Sequence, residues 1–227
     1  MQWLLALDFE RAATCATEGV AAAKDPSFAV CNAVPLATAL IASERVNEAA
    51  AVCEQWLPYL ERSENAWFEM MLQAAYASVR MVRGDLSAGL RDALRSQTLA
   101  RERGYRSTSM FIGAFIVLTY VSIARRDQKL PLSTLLRNPW FTCTQAPFAA
   151  RTSWRLMADL KKDSAEFGMH GLANMLDFGK GRLLARRGRS DAARACVDRI
   201  KRRLDEAGIA TQPTTLSTLI SEIRAIR

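Results

Sequence analysis

His170 is the only histidine in the chain, placed after Met169 and between Gly168 and Gly171 at an expected helix start. An imidazole there could serve as a general base or pair with the Cys143 thiol. A capping or partly buried structural role is the stronger expectation for a lone histidine in that setting. The five cysteines (Cys15, Cys31, Cys53, Cys143, Cys196) are far apart, odd in number and contain no C-x-x-C pair. With one histidine they assemble no zinc site of usual composition. They read as buried, reduced thiols acting as small hydrophobes, which suits a reducing compartment such as the cytoplasm. Gly179-Lys180-Gly181-Arg182 has phosphate-friendly residue types but lies inside a helical pattern, whereas a phosphate loop joins a strand to a helix. P-loop, G-x-S-x-G and dinucleotide fingerprints are absent from the sequence. The expectation is a non-catalytic chain without metal or cofactor.

Charge is the second signal. The formal net charge is +8, and Lys180, Arg182, Arg186, Arg187, Arg189, Arg194, Arg199, Lys201, Arg202 and Arg203 crowd one helical pair. Only Asp191 and Asp198 oppose them inside that stretch. A basic patch built on Arg186, Arg187, Arg189, Arg194 and Arg202 would neutralise nucleic-acid phosphates with salt-sensitive affinity, or meet an acidic protein surface. It also suits a plain solvated face, and Arg186 and Arg187 complement the dipole at a helix C-terminus without any ligand. No aromatic residue accompanies this segment, which counts against single-strand stacking. Trp56, Tyr59, Trp67, Phe68 and Tyr76 read as core filling. Asn138-Pro139-Trp140-Phe141 differs: rings in a proline-containing loop either pack under the helices or face a partner.

The elements that must carry these residues are helices. Apolar residues make up 50% of the 227, with only 11 glycines and 7 prolines, and Ala, Leu and Arg have high helix propensity. No alternating strand pattern occurs, so the fold class is all-α. Helices are expected over about Gln2–Lys24, Ser27–Ser43 with Ser27 as cap, and Asn47–Arg62 with Asn47 as cap. Others follow to Arg83, from Asp85 to Arg103, and from Ser107 to Arg126, with Gly84 and Gly104 as stops. Pro131, Pro139 and Pro147 make Asp127–Pro147 a short helix followed by an irregular connection. Helices resume over Phe148–Phe167, Met169–Arg187, Ser190–Ala207 and Thr214–Ile226. The N-terminal residues lack the basic start of a signal peptide, and the apolar window Met110–Ala124 is too short for a bilayer, so no membrane association is expected.

One stretch names an architecture. Gly181 to Val197 reads as a helix end, a tight turn at Gly188-Arg189 and a second, antiparallel helix. Small residues (Gly181, Ala185, Ala193) lie where the two approach, and Leu184, Val197 and Ile200 fill the space beside them. Such a hairpin cannot bury its apolar face alone and stacks in arrays. Asn47–Cys53, Asp85–Ala93 and Arg189–Val197 all open the second helix of a pair, each with a small residue (Ala49, Gly89, Ala193) followed one turn later on the same face by Cys53, Ala93 or Val197. The first two small residues are 89 − 49 = 40 positions apart.

On these residues the chain resembles the tetratricopeptide-like repeat family, in the variety found in regulatory arms of bacterial signal-transducing ATPases and LuxR-type transcription regulators. The family's small–large–small pattern maps onto Gly181, Leu184, Gly188, Ala193 and Val197, partially onto Ala77, Gly84, Gly89 and Ala93, and weakly onto Ala37, Leu40, Ala49 and Cys53. The resemblance implies one α-solenoid of antiparallel hairpins over residues 1–227, a right-handed superhelix interrupted at about 127–147. It implies a concave groove of first helices that binds a protein or peptide, in a sensor or scaffold of a signalling or transcription regulator. Together with helix phase it gives Asn32, Gln73, Tyr76 and Arg80 as contacts, then Asn174, with Arg182 at the margin. Terminal helices would provide a route to a homo-oligomer. The alternative is a nucleic-acid-binding protein using the basic 180–203 pair.

Overall fold

Single residues decide where the helices start. Asp8 caps α1 (Phe9–Ala22), its carboxylate accepting the Arg11 N–H at 3.3 Å. Asp25, rather than Ser27, caps α2 (Pro26–Ala42): its carboxylate accepts the Ser27 N–H at 2.7 Å, and Pro26 occupies the first turn, where no amide donor is needed. α3 (Val46–Leu60) begins one residue before Asn47, with Arg45 at the cap position and no side-chain cap. The computed structural model describes residues 7–43, 45–61, 66–125, 132–209 and 214–225. Its remaining elements are α4 (Ala66–Val82), α5 (Leu86–Glu102), α6 (Arg106–Arg125), α7 (Leu132–Arg137), α8 (Pro139–Thr144), a 3-10 turn (Ala146–Phe148), α9 (Ala149–Glu166), α10 (His170–Arg186), α11 (Ser190–Glu206) and α12 (Thr214–Arg224). Every regular element among the described residues is helical.

The expectation of an irregular connection after one short helix is corrected. α8 and the 3-10 turn occupy that stretch, because Pro139 and Pro147 stand in the first turns of their elements and initiate rather than break them. The ends expected at Gln2, Arg62, Arg126 and Ile226 lie outside the described residues.

Helix stops follow one rule. Gly84, Gly104, Gly168, Gly188 and Gly208 all have φ between 65° and 94°, the left-handed conformation that spares only glycine a steric penalty. After each, the next N–H reaches back to a carbonyl five residues upstream: Asp85 to Arg80, Tyr105 to Ala100, Met169 to Ser164, Arg189 to Leu184 and Ile209 to Leu204, at 2.8–3.0 Å. Gly84 and Gly104 are 20 residues apart (104 − 84), as are Gly168 and Gly188, and Gly188 and Gly208. Each 20-residue step is one 17-residue helix plus a three-residue reversal, as in α5 and α11.

Consecutive helices pack on one another from α1 to α6 and from α9 to α12, and α6 packs on α9 across the α7–α8 insertion. A second set of contacts skips one helix in the pattern: α2 with α4, α4 with α6, α6 with α10, and α10 with α12. Burial follows the same division. α2 and α4 bury residues on most of their circumference, including Ala33, Val34, Ala37 and Leu40 of α2. α11 buries only the stripe Ala193, Cys196, Val197, Ile200 and Leu204, the spacing of a one-sided helix. Among the described residues no helix is long and apolar enough to cross a membrane.

Two glycines sit at helix crossings, with different tolerance. A Cβ on Gly89 would lie 2.6 Å from the Ala77 carbonyl oxygen, so α4 and α5 would have to separate. A Cβ on Gly181 would meet the flexible end of Leu219 at 3.1 Å. Gly89→Ala is therefore expected to destabilise by about 1–3 kcal/mol through overpacking. Gly181→Ala is expected to stay within about 1 kcal/mol of wild type, because the gain in helix propensity offsets the contact. Urea-unfolding midpoints of the two variants measure the contrast.

Candidate functional site

The first turns of α4 and α6 meet the middle of α2 around a narrow apolar cleft. Trp67 Nε1–H of α4 donates to Thr108 Oγ1 of α6 at 2.6 Å, which fixes the indole across the gap between the two helices. Phe68 meets the Trp67 ring edge-on, with centroids 4.5 Å apart. Val34, Pro35 and Thr38 of α2, Trp67 and Met71 of α4, and Ser107, Thr108, Phe111 and Phe115 of α6 line the cleft, whose volume is about 60 Å³. Thr38 Oγ1–H donates to the Val34 carbonyl at 2.9 Å, so its polar group is satisfied within α2. Pro35 has no N–H to give to the preceding helical turn. A metabolite-sized site spans about 300–1,000 Å³, so this cleft is too small to enclose one.

The six contact residues expected from helix phase stand elsewhere, each engaged within the chain. Asn32 donates from Nδ2 to the Phe28 carbonyl at 3.0 Å, and its Oδ1 would lie 2.5 Å from a Cβ on Gly19, so it fills the α1–α2 crossing. Gln73 donates to Glu69 Oε1 at 3.0 Å along α4, and Tyr76 O–H reaches Glu54 Oε1 of α3 at 3.4 Å. Arg80 clamps α4 to α5, with Asp85 Oδ2 and Asp92 Oδ2 each at 2.5 Å. Asn174 is buried and accepts from Arg203 Nε at 2.8 Å. Arg182 reaches Glu222 of α12 at 3.4 Å and lies over the Phe178 ring. None of the six lines the cleft.

Six of the ten cations in the basic segment have partners within the chain. Asp177 is only 3% exposed and receives Arg199 Nη2 at 2.8 Å together with Arg203 Nη2. The hydrogen bond to Asp177 raises the Arg199 pKa, and burial lowers that of Arg203. Lys180 and Arg187 lie 5.5 and 5.8 Å from the Trp154 ring, at cation–π distance. Arg194 is 3.6 Å from Asp191. Arg186, Arg187, Arg189, Arg194, Lys201 and Arg202 are exposed, the last three interleaved on α11 with exposed Asp191, Asp198 and Asp205. Gly179-Lys180-Gly181-Arg182 lies inside α10, with Gly179 against Leu118 and Val121 of α6.

The thiols do not form the uniformly buried set expected. Cys53 and Cys196 are buried, Cys31 is half-buried, and Cys15 and Cys143 are exposed on their helices. Burial pushes the Cys53 thiol up to about 12 and raises Cys196 and Cys31 as well. Among the described residues no group of three or more His, Cys, Asp or Glu side chains comes together to hold a metal ion. His170 is the first residue of α10; its side chain lies outside what is described. No family model, curated protein or solved structure matches the chain.

Two outcomes follow from this geometry. At pH 8 a thiol-alkylating reagent should modify Cys15 and Cys143 in the native protein but reach Cys53 and Cys196 only after denaturation, read by peptide mass spectrometry. Asp177→Ala leaves two guanidiniums facing an apolar seam and should cost about 2–4 kcal/mol in urea unfolding, discounted from the fully buried case because Arg199 is part-exposed.

Proposed function

We propose that the chain is a non-catalytic protein- or peptide-binding helical-repeat module, an α-solenoid of antiparallel hairpins of tetratricopeptide-like type. The hairpins in this reading are α2–α3, α4–α5, α6–α9 and α10–α11, flanked by α1 and α12. The contacts between every second helix and the 20-residue glycine step support it, since stacked hairpins bury their faces only on neighbours. First helices α2, α4, α6 and α10 then form the recognition row. The observation that carries the binding role is the cleft between α2, α4 and α6, walled by Trp67, Met71, Phe111 and Phe115. Its mechanism is insertion of one large apolar side chain of an extended or helical peptide, with specificity set by the cleft's small size. A place in a sensor or scaffold of a bacterial signalling or transcription regulator rests on the family resemblance. A nucleic-acid surface on the 180–203 pair is the second reading, and it relies on the exposed cations Arg186, Arg187, Arg189, Arg194, Lys201 and Arg202.

Ser107 is exposed at the start of α6 beside the cleft, so Ser107→Trp plugs it without touching the core. Peptides selected from a random display library on the intact chain should share one large apolar residue. Their affinity for Ser107→Trp should fall at least about tenfold, a loss of about 1.4 kcal/mol, with circular dichroism and thermal midpoint unchanged. Equal binding by the folded variant, or no enrichment of peptides, rejects the cleft as the site.

A further inference from the structure

The α7–α8 insertion is built as a fixed platform rather than a slack loop. Asn138 is 2% exposed and closes three hydrogen bonds: its Oδ1 accepts the Ser87 N–H at 3.0 Å, and its Nδ2 donates to the carbonyls of Gly84 and Thr134 at 2.7 and 2.8 Å. This staples the insertion to the α4–α5 turn. Phe141 is buried beside it, and Tyr120 of α6 donates to Gln145 Oε1 at 2.9 Å at its far end. What the platform presents outward is apolar: Leu132 and Leu136, one turn apart and 70% and 71% exposed, with Trp140 at 54% and Phe148 at 55%. Four large apolar side chains in one 17-residue stretch are more than scattered surface hydrophobes.

Along the stretch itself the charge has one sign. No Asp or Glu occurs from residue 128 to residue 158, while Arg137, Arg151 and Arg155 are exposed there. Arg151 and Arg155 are one turn apart on α9, directly after Phe148. Burial raises the Tyr120 phenol pKa and the Arg155 charge acts against it, so this guanidinium lies near the anchor. Asp159, one turn further along α9, marks the end of the cationic edge.

We propose that this face docks an amphipathic acidic helix of a protein partner, its apolar stripe on Leu132, Leu136 and Trp140 and its carboxylates on Arg137, Arg151 and Arg155. The site goes beyond the cleft reading and shares no residue with it. The cations described are all guanidiniums, whose planar forks pair two-point with carboxylates. Trp with Arg, and no acidic residue, is the composition of a protein-interface centre. An anionic lipid surface would be attracted by net charge alone.

The probe is a fluorescein-labelled 18-residue synthetic helix with leucine on one face and glutamate on its flanks, titrated with the full chain by anisotropy. Saturable binding that weakens with salt is expected. Trp140→Ala and Leu136→Ser, both at exposed positions, should each weaken it about tenfold with unchanged circular dichroism, about 1.4 kcal/mol apiece. Arg151→Glu combined with Arg155→Glu should abolish binding of the glutamate probe and gain binding of its lysine-flanked counterpart. Ser107→Trp should leave the probe's affinity unchanged, which keeps this test separate from that of the cleft. No saturable binding, equal affinity of wild type for the lysine-flanked probe, or indifference to Trp140→Ala overturns the proposal. So does Trp140-dependent sedimentation with phosphatidylserine vesicles, or a Trp140-dependent dimer in sedimentation velocity, without binding of the probe.

Discussion

A left-handed glycine that reverses the chain in three residues is the constraint on which the rest of the structure depends. With reversals at Gly84, Gly104, Gly168 and Gly188, a helix emerging from one turn is laid against the helix it left. Seventeen residues at 1.5 Å each make a rod of about 25 Å, so neighbouring rods match in length and bury their sides rather than their ends. A longer connection would let the second helix swing away, and lateral burial would lose its fixed partner. The αL conformation costs a Cβ-bearing residue more than glycine, which is why these four positions, like Gly208, hold one residue type while their neighbours vary.

Lateral burial alone leaves sliding and rotation soft, since an apolar stripe does not specify register. Polar side chains crossing between adjacent helices supply that. Arg80 ties α4 to Asp92 of α5, Tyr76 ties it to Glu54 of α3, and Asp177 ties α10 to Arg199 and Arg203 of α11. Trp67 and Thr108 do the same between α4 and α6, at a point where the walls must also stay apart to keep the cleft open. A buried carboxylate with two guanidiniums contributes little net stability over an apolar equivalent, yet it tolerates few alternative alignments. The cleft inherits its shape from these locks.

Helix positions were legible because their signals are local. Glycine stops and polar caps act within four residues, and the expected boundaries fall within a residue or two of those observed for α4, α5, α10 and α11. The α2 cap went to Asp25 because a carboxylate two residues before Ser27 N–H competes better than the hydroxyl, with Pro26 already preset for the first turn. Pro139 and Pro147 misled because a proline breaks a helix from within but opens one from its first turn. The site was less legible. Helix phase tells which residues share a face but not which neighbour pairs with them, so the bond from Arg203, 29 positions on, to Asn174 is not announced by the sequence. The Trp67–Thr108 bond spans 41 residues, and no pattern within a single helix announces it.

The same distinction applies to charge. Ten cations in 24 residues dominate the sequence, and that density made Lys180–Arg203 the natural candidate for an anionic ligand. Yet density is also what internal ion pairing requires: Asp177 alone engages two of those arginines, Glu222 and Asp191 one each, and Trp154 faces two more cations. The insertion and the start of α9 carry fewer cations but no carboxylate within the stretch to answer them, and they carry exposed Leu and Trp that lack a covering helix. In the docking we propose, uncompensated charge would attract the partner and uncovered apolar area would hold it. On both counts the sparser segment is the stronger surface.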